Sequence, residues 1–108
     1  MLTYGKAESL AKAWVDIVCD GMADLMLEHT ITKPYGWVFF YQSKKYLADK
    51  RFSDKLVGNA PIIVDRVNGE LVVTGTAKKI EDYLADYERT LPAARLQMTP
   101  EHPSTKND

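Results

Sequence analysis

The first residues of the chain alternate between apolar and polar side chains with the period of an α-helix. Apolar residues recur every three to four positions from Ala7 to Val18, which places them on one side of a helix. Thr3 stands where an N-cap is favoured, and Asp20-Gly21 favours a helix stop. The pattern predicts an amphipathic helix from residue 3 to about residue 18.

The middle of the chain changes to the two-residue alternation that is typical of β-strands. Residues 25–31 alternate in this way and predict a strand with one apolar face. Residues 37–43, WVFFYQS, are largely apolar on both faces, with Trp37 and Tyr41 on the same face. This run predicts a central strand that is covered on both sides. Residues 33–36, KPYG, predict the turn before it.

Residues 58–76, GNAPIIVDRVNGELVVTGT, predict a β-hairpin. Asn68-Gly69 between two apolar runs favours a two-residue type I′ turn, which would pair Val67 with Glu70. One face of this hairpin is apolar and collects Ile62, Val64, Leu71 and Val73. The other face is mixed and collects Ile63, Asp65, Val67, Glu70, Val72 and Thr74.

The last apolar pattern has helical spacing again, from residue 77 to residue 91. Thr76 can cap this helix and Pro92 ends it. Its acidic side chains fall off the apolar stripe and are expected to face water; they are Glu81, Asp82, Asp86 and Glu88. Beyond residue 98 the chain is polar and interrupted by proline, which predicts a disordered tail over residues 99–108.

These elements predict one α+β domain over residues 1–98. Its expected architecture is a two-layer sandwich, with about four antiparallel strands and two amphipathic helices packed on one face of the sheet. A length of 108 residues is enough for one such core.

Composition narrows the range of partners. The net charge of -1 creates no overall field that would attract nucleic acid or an anionic membrane surface. The basic segment at residues 44–55 is better explained as a solvated loop than as a nucleic-acid site. A single cysteine allows no internal disulfide and fits a reducing compartment. With no secretory signal and no apolar segment of about 20 residues, the sequence predicts a cytoplasmic protein without nucleic-acid or membrane partners.

The residue types that carry catalysis do not form a recognisable pattern. Two isolated histidines and one cysteine do not supply a metal site. Asp82 and Asp86 share a helix face, but at this spacing a solvated surface is the simpler explanation than a general acid and base. The sequence therefore predicts no catalytic residue, no metal and no cofactor, while a metabolite-binding or enzymatic domain stays open as a minor alternative.

Charge is nevertheless segregated along the chain. Residues 33–55 contain six basic and two acidic side chains, whereas residues 80–88 contain four acids and no base. Such segregation without net charge suits a protein partner with complementary patches. If both helices cover one sheet face, the other face is free to dock a partner protein or a second copy of the chain, which would form a homodimer. The predicted contact residues are Ile63, Asp65, Val67, Glu70 and Val72, with Trp37 and Tyr41 on the adjacent strand and Asp82 and Asp86 on the acidic helix.

Three short motifs resemble the immunity protein 35 family. They are the aromatic strand GWVFFY, the segment LVGNAPIIVDRVNGEL and the helix start GTAKKIEDYLADYE, which together span residues 36–88. The resemblance implies a cytoplasmic immunity protein of a bacterial polymorphic-toxin system, which binds a cognate toxin domain and occludes its active site without chemistry of its own. The family also includes a heat-stable chaperone-like protein, so a chaperone-like binding module is the alternative that the resemblance implies.

Overall fold

The computed structural model describes residues 1–103. Within this part of the chain there are four α-helices, namely α1 (Tyr4–Val18), α2 (Lys44–Asp49), α3 (Ile80–Glu88) and α4 (Ala93–Leu96). The six strands in the same part are β1 (Ala23–Leu25), β2 (Ile31–Lys33), β3 (Gly36–Phe39), β4 (Tyr41–Ser43), β5 (Ile62–Asp65) and β6 (Leu71–Val73). Short 3₁₀ turns occupy Leu27–His29 and Phe52–Asp54.

The strands form two antiparallel sheets. The main sheet has the order β2-β3-β5-β6, and β1 pairs with β4 in a small sheet beside it. The predicted α+β class is confirmed. The two long strands predicted before the hairpin are each divided, because the chain leaves the main sheet at Phe40, where the Met26 amide donates to the Phe40 carbonyl at 2.8 Å. That break turns residues 41–43 towards β1 instead of continuing β3.

Helix α1 covers one face of the main sheet. It begins where predicted, since the Thr3 hydroxyl accepts a hydrogen bond from the Lys6 amide at 3.3 Å. The residues that α1 buries are small or β-branched, which lets the helix approach the sheet closely; they are Ala7, Ala11 and Val15. They pack against Trp37, Phe39, Ile62 and Val64.

Helix α3 covers the opposite face, so the prediction that both helices pack on one face is wrong. Leu84 of α3 is buried in a second cluster with Tyr35, Val38 and Ile63. All four residues of β3 and all four of β5 are buried, as expected for strands covered on both sides. The second face of the hairpin therefore carries apolar residues because helix α3 of the same chain packs on it.

The hairpin register differs from the prediction by two residues. In the structure Ile63 pairs with Val72. With this register the loop between the two strands has four residues, 66–69, instead of the predicted two. The carboxylate of Asp65 causes this, because it accepts hydrogen bonds from the backbone amides of Val67 at 2.8 Å and Asn68 at 3.4 Å. A shift of two residues keeps every side chain on its own face, so the predicted composition of both faces is still correct.

The segment after α4 runs round the end of the sheet to α1. Arg66 donates to the Thr99 carbonyl at 2.5 Å, and the buried Trp37 indole donates to the Glu101 carbonyl at 2.8 Å. The Glu101 carboxylate accepts from the Tyr4 amide at 2.7 Å, where it satisfies a free donor at the α1 N-terminus. Thr99 and Glu101 of the predicted tail thus contact the folded domain, while residues 104–108 of that tail lie outside the described residues.

Truncating Leu84 tests the packing of α3. We expect Leu84→Ala to lower the free energy of unfolding by about 2–5 kcal/mol, because it removes a buried side chain from the second cluster. Urea denaturation measures this. The control is Val57→Ala, which changes a side chain that is 85% exposed and should shift stability by no more than about 0.5 kcal/mol. Equal effects of the two substitutions would contradict the coverage of this face by α3.

Candidate partner-binding site

Asp65 holds together the elements that shape the candidate site. Its side chain is fully buried at the end of β5. The Tyr87 hydroxyl of α3 donates to it at 2.6 Å, and the Arg95 guanidinium of α4 donates to both of its oxygens at 2.5 Å. Together with the loop amide of Val67, these donors satisfy a buried charge that would otherwise be costly. Asp65 thereby joins both C-terminal helices to the hairpin.

The ionisation of this cluster is fixed by its donors. Burial alone would raise the pKa of Asp65, but the Tyr87 hydroxyl, the Arg95 guanidinium and the loop amides together hold it below its ordinary value. Burial raises the pKa of Tyr87, and the neighbouring Asp65 carboxylate raises it further. At neutral pH Asp65 is therefore charged and Tyr87 is a neutral donor.

A second tyrosine fastens the other side of α3. The Tyr35 hydroxyl donates to the Glu88 carboxylate at 2.8 Å, and Lys33 lies 3.6 Å from the same carboxylate. The rings of Tyr35 and Tyr87 are 5.4 Å apart. Burial raises the pKa of Tyr35, and Glu88 adds to the effect. These contacts hold α3 over β3 and β5 and away from the outer side of β6.

A groove remains between α3 and β6. Its volume is about 300 Å³, and it is lined by Ile63, Val72, Val73, Thr74, Tyr83, Asp86, Tyr87 and Thr90. The apolar floor comes from two adjacent strands, whereas the tyrosines come from the helix. Aromatic side chains with one polar end are enriched at protein interfaces, because they bury a large area and still find hydrogen-bond partners.

Gly75 and Tyr83 build one end of the groove. A Cβ atom at Gly75 would lie 2.4 Å from the Tyr83 hydroxyl oxygen, so only glycine permits this close approach. The same hydroxyl accepts a hydrogen bond from the Ala77 amide at 2.9 Å. The Lys78 ammonium lies 5.1 Å from the centre of the Tyr83 ring. The loop after β6 therefore holds the Tyr83 ring in place.

Acidic side chains flank the groove. Asp86 pairs with Lys78 and Arg89, and the Lys78 contact is the main reason that the pKa of Asp86 is lowered. Asp82 lies one turn earlier on the same helix face and is exposed. Glu70 is exposed and close enough to contribute to the raised pKa of Tyr87. Among residues 1–103, Glu70 and Asp82 form no ion pair.

The structure places four predicted contact residues inside the molecule. Trp37, Ile63 and Asp65 are no more than 1% exposed, and Tyr41 is 7% exposed. The prediction that they form an open docking face is therefore wrong. Helix α3 occupies the sheet face that was predicted to be open, and helix α1 covers Trp37 and Tyr41 on the other side.

Four of the other five predicted residues line or flank the groove, and the fifth, Val67, lies on the hairpin loop. Val72 and Asp86 line the groove. Glu70 and Asp82 flank it, and Val67 is 40% exposed on the hairpin loop. The proposal that these five residues contact a partner is thus compatible with their exposure.

Sequence reasoning missed the residues that shape the groove. Neither Tyr83 nor Gly75 is among the predicted contact residues. A signal was present, because Asp65 stands three residues before Asn68-Gly69 in a position that favours a side-chain-capped turn. Recognising that turn would have given the four-residue loop and the observed edge of β6.

A second exposed region lies at residues 44–59. Phe52 is 78% exposed, and Val57 is 85% exposed. The Lys55 ammonium lies 5.6 Å from the ring centre of Tyr46 and 6.0 Å from that of Phe52. These apolar side chains protrude beside basic groups, whereas the groove offers a concave surface, so the groove is the stronger candidate site.

Comparison with known proteins places this small α+β domain in a family. The model of the family described as Immunity protein 35 matches residues 6–90. The chain is also 37% identical over 90 residues to the uncharacterized protein YrhB of Escherichia coli (strain K12), a match that covers 82% of this chain and 90% of that protein. No solved structure matches. The chain therefore belongs to the immunity protein 35 family, which confirms the resemblance carried by its motifs.

In residues 1–103 no three histidine, cysteine or acidic side chains are grouped as metal ligands would be. No helix in the same residues combines the length and apolar composition needed to span a bilayer.

Replacing Asp65 tests the buried cluster. We expect Asp65→Asn to lower the free energy of unfolding at neutral pH by about 3 kcal/mol, because Arg95 loses its charged partner. The pKa of Asp65 is depressed by folding, so its stabilising effect is full above its unfolded-state pKa. The difference between wild type and variant should therefore shrink as the pH falls below about 4.

Urea denaturation across this pH range measures the difference. The matched control is Asp82→Asn, which changes an exposed carboxylate on the same helix as Tyr87 and should leave stability nearly unchanged. A gap between wild type and Asp65→Asn that stays constant down to low pH would rule out a buried, charged Asp65.

Proposed function

We propose that this protein is a cytoplasmic immunity protein that neutralises a cognate toxin domain by binding it. It blocks the toxin's active site sterically and carries out no reaction itself. The observation that carries the proposal is family membership, since the immunity protein 35 model spans residues 6–90, most of the folded domain. The partner is a protein, and neither nucleic acid nor membrane takes part.

The groove is the proposed contact surface. Val72, Tyr83 and Tyr87 supply apolar and aromatic area at its centre, which is the usual source of binding energy in a protein interface. Glu70 and Asp82, which form no ion pair within residues 1–103, supply negative charge beside it, which favours a basic partner surface and fast association. Val67 and Asp86 extend this surface at its ends.

A chaperone-like function is the second candidate. It is favoured by large apolar side chains exposed away from the groove, including Ile17 at 81%, Phe52 at 78% and Val57 at 85%. Such side chains can hold unfolded clients without a shaped site. This function would require binding that is tolerant of partner sequence, whereas the groove favours one dedicated partner.

Co-expression with the cognate toxin domain tests the proposal. We expect the wild-type protein to restore growth to bacteria that express the toxin, and inhibition of the purified toxin to saturate at one equivalent. Asp82→Lys should weaken the complex about tenfold, because it reverses a charge beside the groove. Isothermal titration calorimetry measures the affinity.

The matched control is Phe52→Ser, an exposed change on the far region. It should leave toxin binding unchanged. Growth that stays arrested despite stable expression of the wild-type protein would refute the immunity function. The chaperone-like alternative would be favoured if the wild-type protein suppressed the aggregation of several unrelated proteins equally well. In that case Phe52→Ser should lose this effect and Asp82→Lys should keep it.

A further inference from the structure

We propose that the outer edge of β6 binds an extended, basic segment of the toxin as an added strand. This inference rests on the proposed function and names the mode of binding and the chemistry of the partner. Within residues 1–103 no strand pairs with the outer side of β6, which is the last strand of the main sheet. An added strand is a common way to bind a peptide, because the edge already presents ordered backbone donors and acceptors.

The hydrogen-bond pattern identifies the free backbone groups. The Asp65 amide donates to the Glu70 carbonyl at 2.8 Å, and the Thr74 amide donates to the Pro61 carbonyl at 3.0 Å. Bonded pairs alternate along an antiparallel ladder, so Val72 also bonds towards β5. Leu71 and Val73 therefore direct their amide and carbonyl groups outwards, away from β5.

The two edges of the main sheet differ in their protection. At the opposite edge, β2 ends in Lys33, which is followed by Pro34, and both residue types discourage strand pairing. The sequence of β6 is Leu-Val-Val and contains neither charge nor proline. An edge of this kind would invite non-specific pairing if nothing covered it, which favours a dedicated partner.

The side chains beside this edge specify the pattern of that partner. Val72 faces the groove, so a strand residue opposite Val72 would also point into the groove and should be apolar. In the added strand, the residues two positions before and after this apolar residue lie on the same face. One of them would lie towards Glu70, and the other towards Asp82 and Asp86. The groove therefore fits a segment in which a central apolar residue is flanked, two positions away on each side, by lysine or arginine.

A second copy of this chain fits the edge less well. Antiparallel pairing of β6 with β6 would continue the sheet and place both α3 helices side by side on the same face. In each α3, Asp86 and Glu88 are paired within the domain. Glu81 and Asp82 form no ion pair among residues 1–103, so these carboxylates would repel their copies on the second helix. Charge thus favours a basic segment of another protein over a homodimer.

A synthetic peptide tests the edge without the toxin. The probe is the blocked pentapeptide Lys-Thr-Ile-Thr-Lys, titrated into ¹⁵N-labelled protein up to about 1 mM, the weak end of specific binding. We expect the largest chemical-shift changes at the backbone amides of Leu71, Val73 and Tyr87. Amide hydrogen exchange should become slower at Leu71 and Val73. The peptide Glu-Thr-Ile-Thr-Glu should bind at least about tenfold more weakly. Shifts elsewhere, or no shifts in this range, would overturn the proposal.

Proline substitutions test the same edge in the toxin complex. Val73→Pro removes an amide that points outwards and spares the ladder to β5. The matched control is Thr32→Pro at the β2 edge. The Arg66 amide donates to the Tyr35 carbonyl, so by alternation Trp37 bonds towards β5, and its partner Thr32 directs its amide outwards. We expect Val73→Pro to weaken toxin binding by about tenfold or more, and Thr32→Pro to leave it unchanged. Circular dichroism melts verify that both variants fold.

The outcomes separate this inference from the immunity function. Neutralisation that survives Val73→Pro overturns strand addition and keeps the immunity function. Peptide binding at Leu71 and Val73 without toxin neutralisation keeps the edge site and overturns the immunity function. If Val73→Pro fails to fold, Glu70→Lys serves instead, and unchanged toxin affinity in that variant also counts against a basic strand. A concentration-dependent dimer that blocks the peptide would assign the edge to a second copy.

Discussion

The buried carboxylate of Asp65 is the interaction on which the rest of the structure depends. A charge without access to water is costly unless each of its oxygens is paired. Here the donors come from three separate elements, namely Tyr87 of α3, Arg95 of α4 and the loop amides after β5. Satisfying one carboxylate therefore fixes the hairpin loop and both C-terminal helices in one arrangement.

The groove follows from that arrangement. Tyr87 bonded to Asp65 and Glu88 bonded to Tyr35 hold α3 over β3 and β5. The last strand, β6, then projects past the helix, and the space between them is lined by residues of both. Because β6 is the last strand of the main sheet, its outer backbone has no strand partner among residues 1–103. The position of α3 and the strand order thus together provide the concave surface and the free edge that the proposed function uses.

A small binding domain of this kind can act through shape and charge alone. The immunity protein 35 family model covers most of the domain. The groove combines fixed aromatic side chains with the exposed carboxylates of Glu70 and Asp82 beside it. Tyr83 is held by the loop at Gly75 and Ala77, and Tyr87 is held by Asp65. Because these rings are already ordered, a partner that packs against them loses little additional conformational entropy on binding.

Local periodicity gave the helices at both ends of the chain, the α+β class and the face to which each hairpin residue belongs. These features depend on neighbours a few positions apart, and the faces survived even a register error because that error was two residues. It did not give the break at Phe40, since that break depends on pairing between strands distant in the chain. It also misassigned Asp65 as an exposed contact, because a charge within a strand usually faces water.

The side of the sheet that α3 covers was decided only by tertiary structure. An amphipathic pattern identifies the buried side of a helix, but either sheet face could accept it, since β3 and β5 are apolar on both. The choice is made by the long-range partners of α3, which are Asp65 and Tyr35. The groove is a consequence of that choice, so the periodicity of the residues alone could not reveal it.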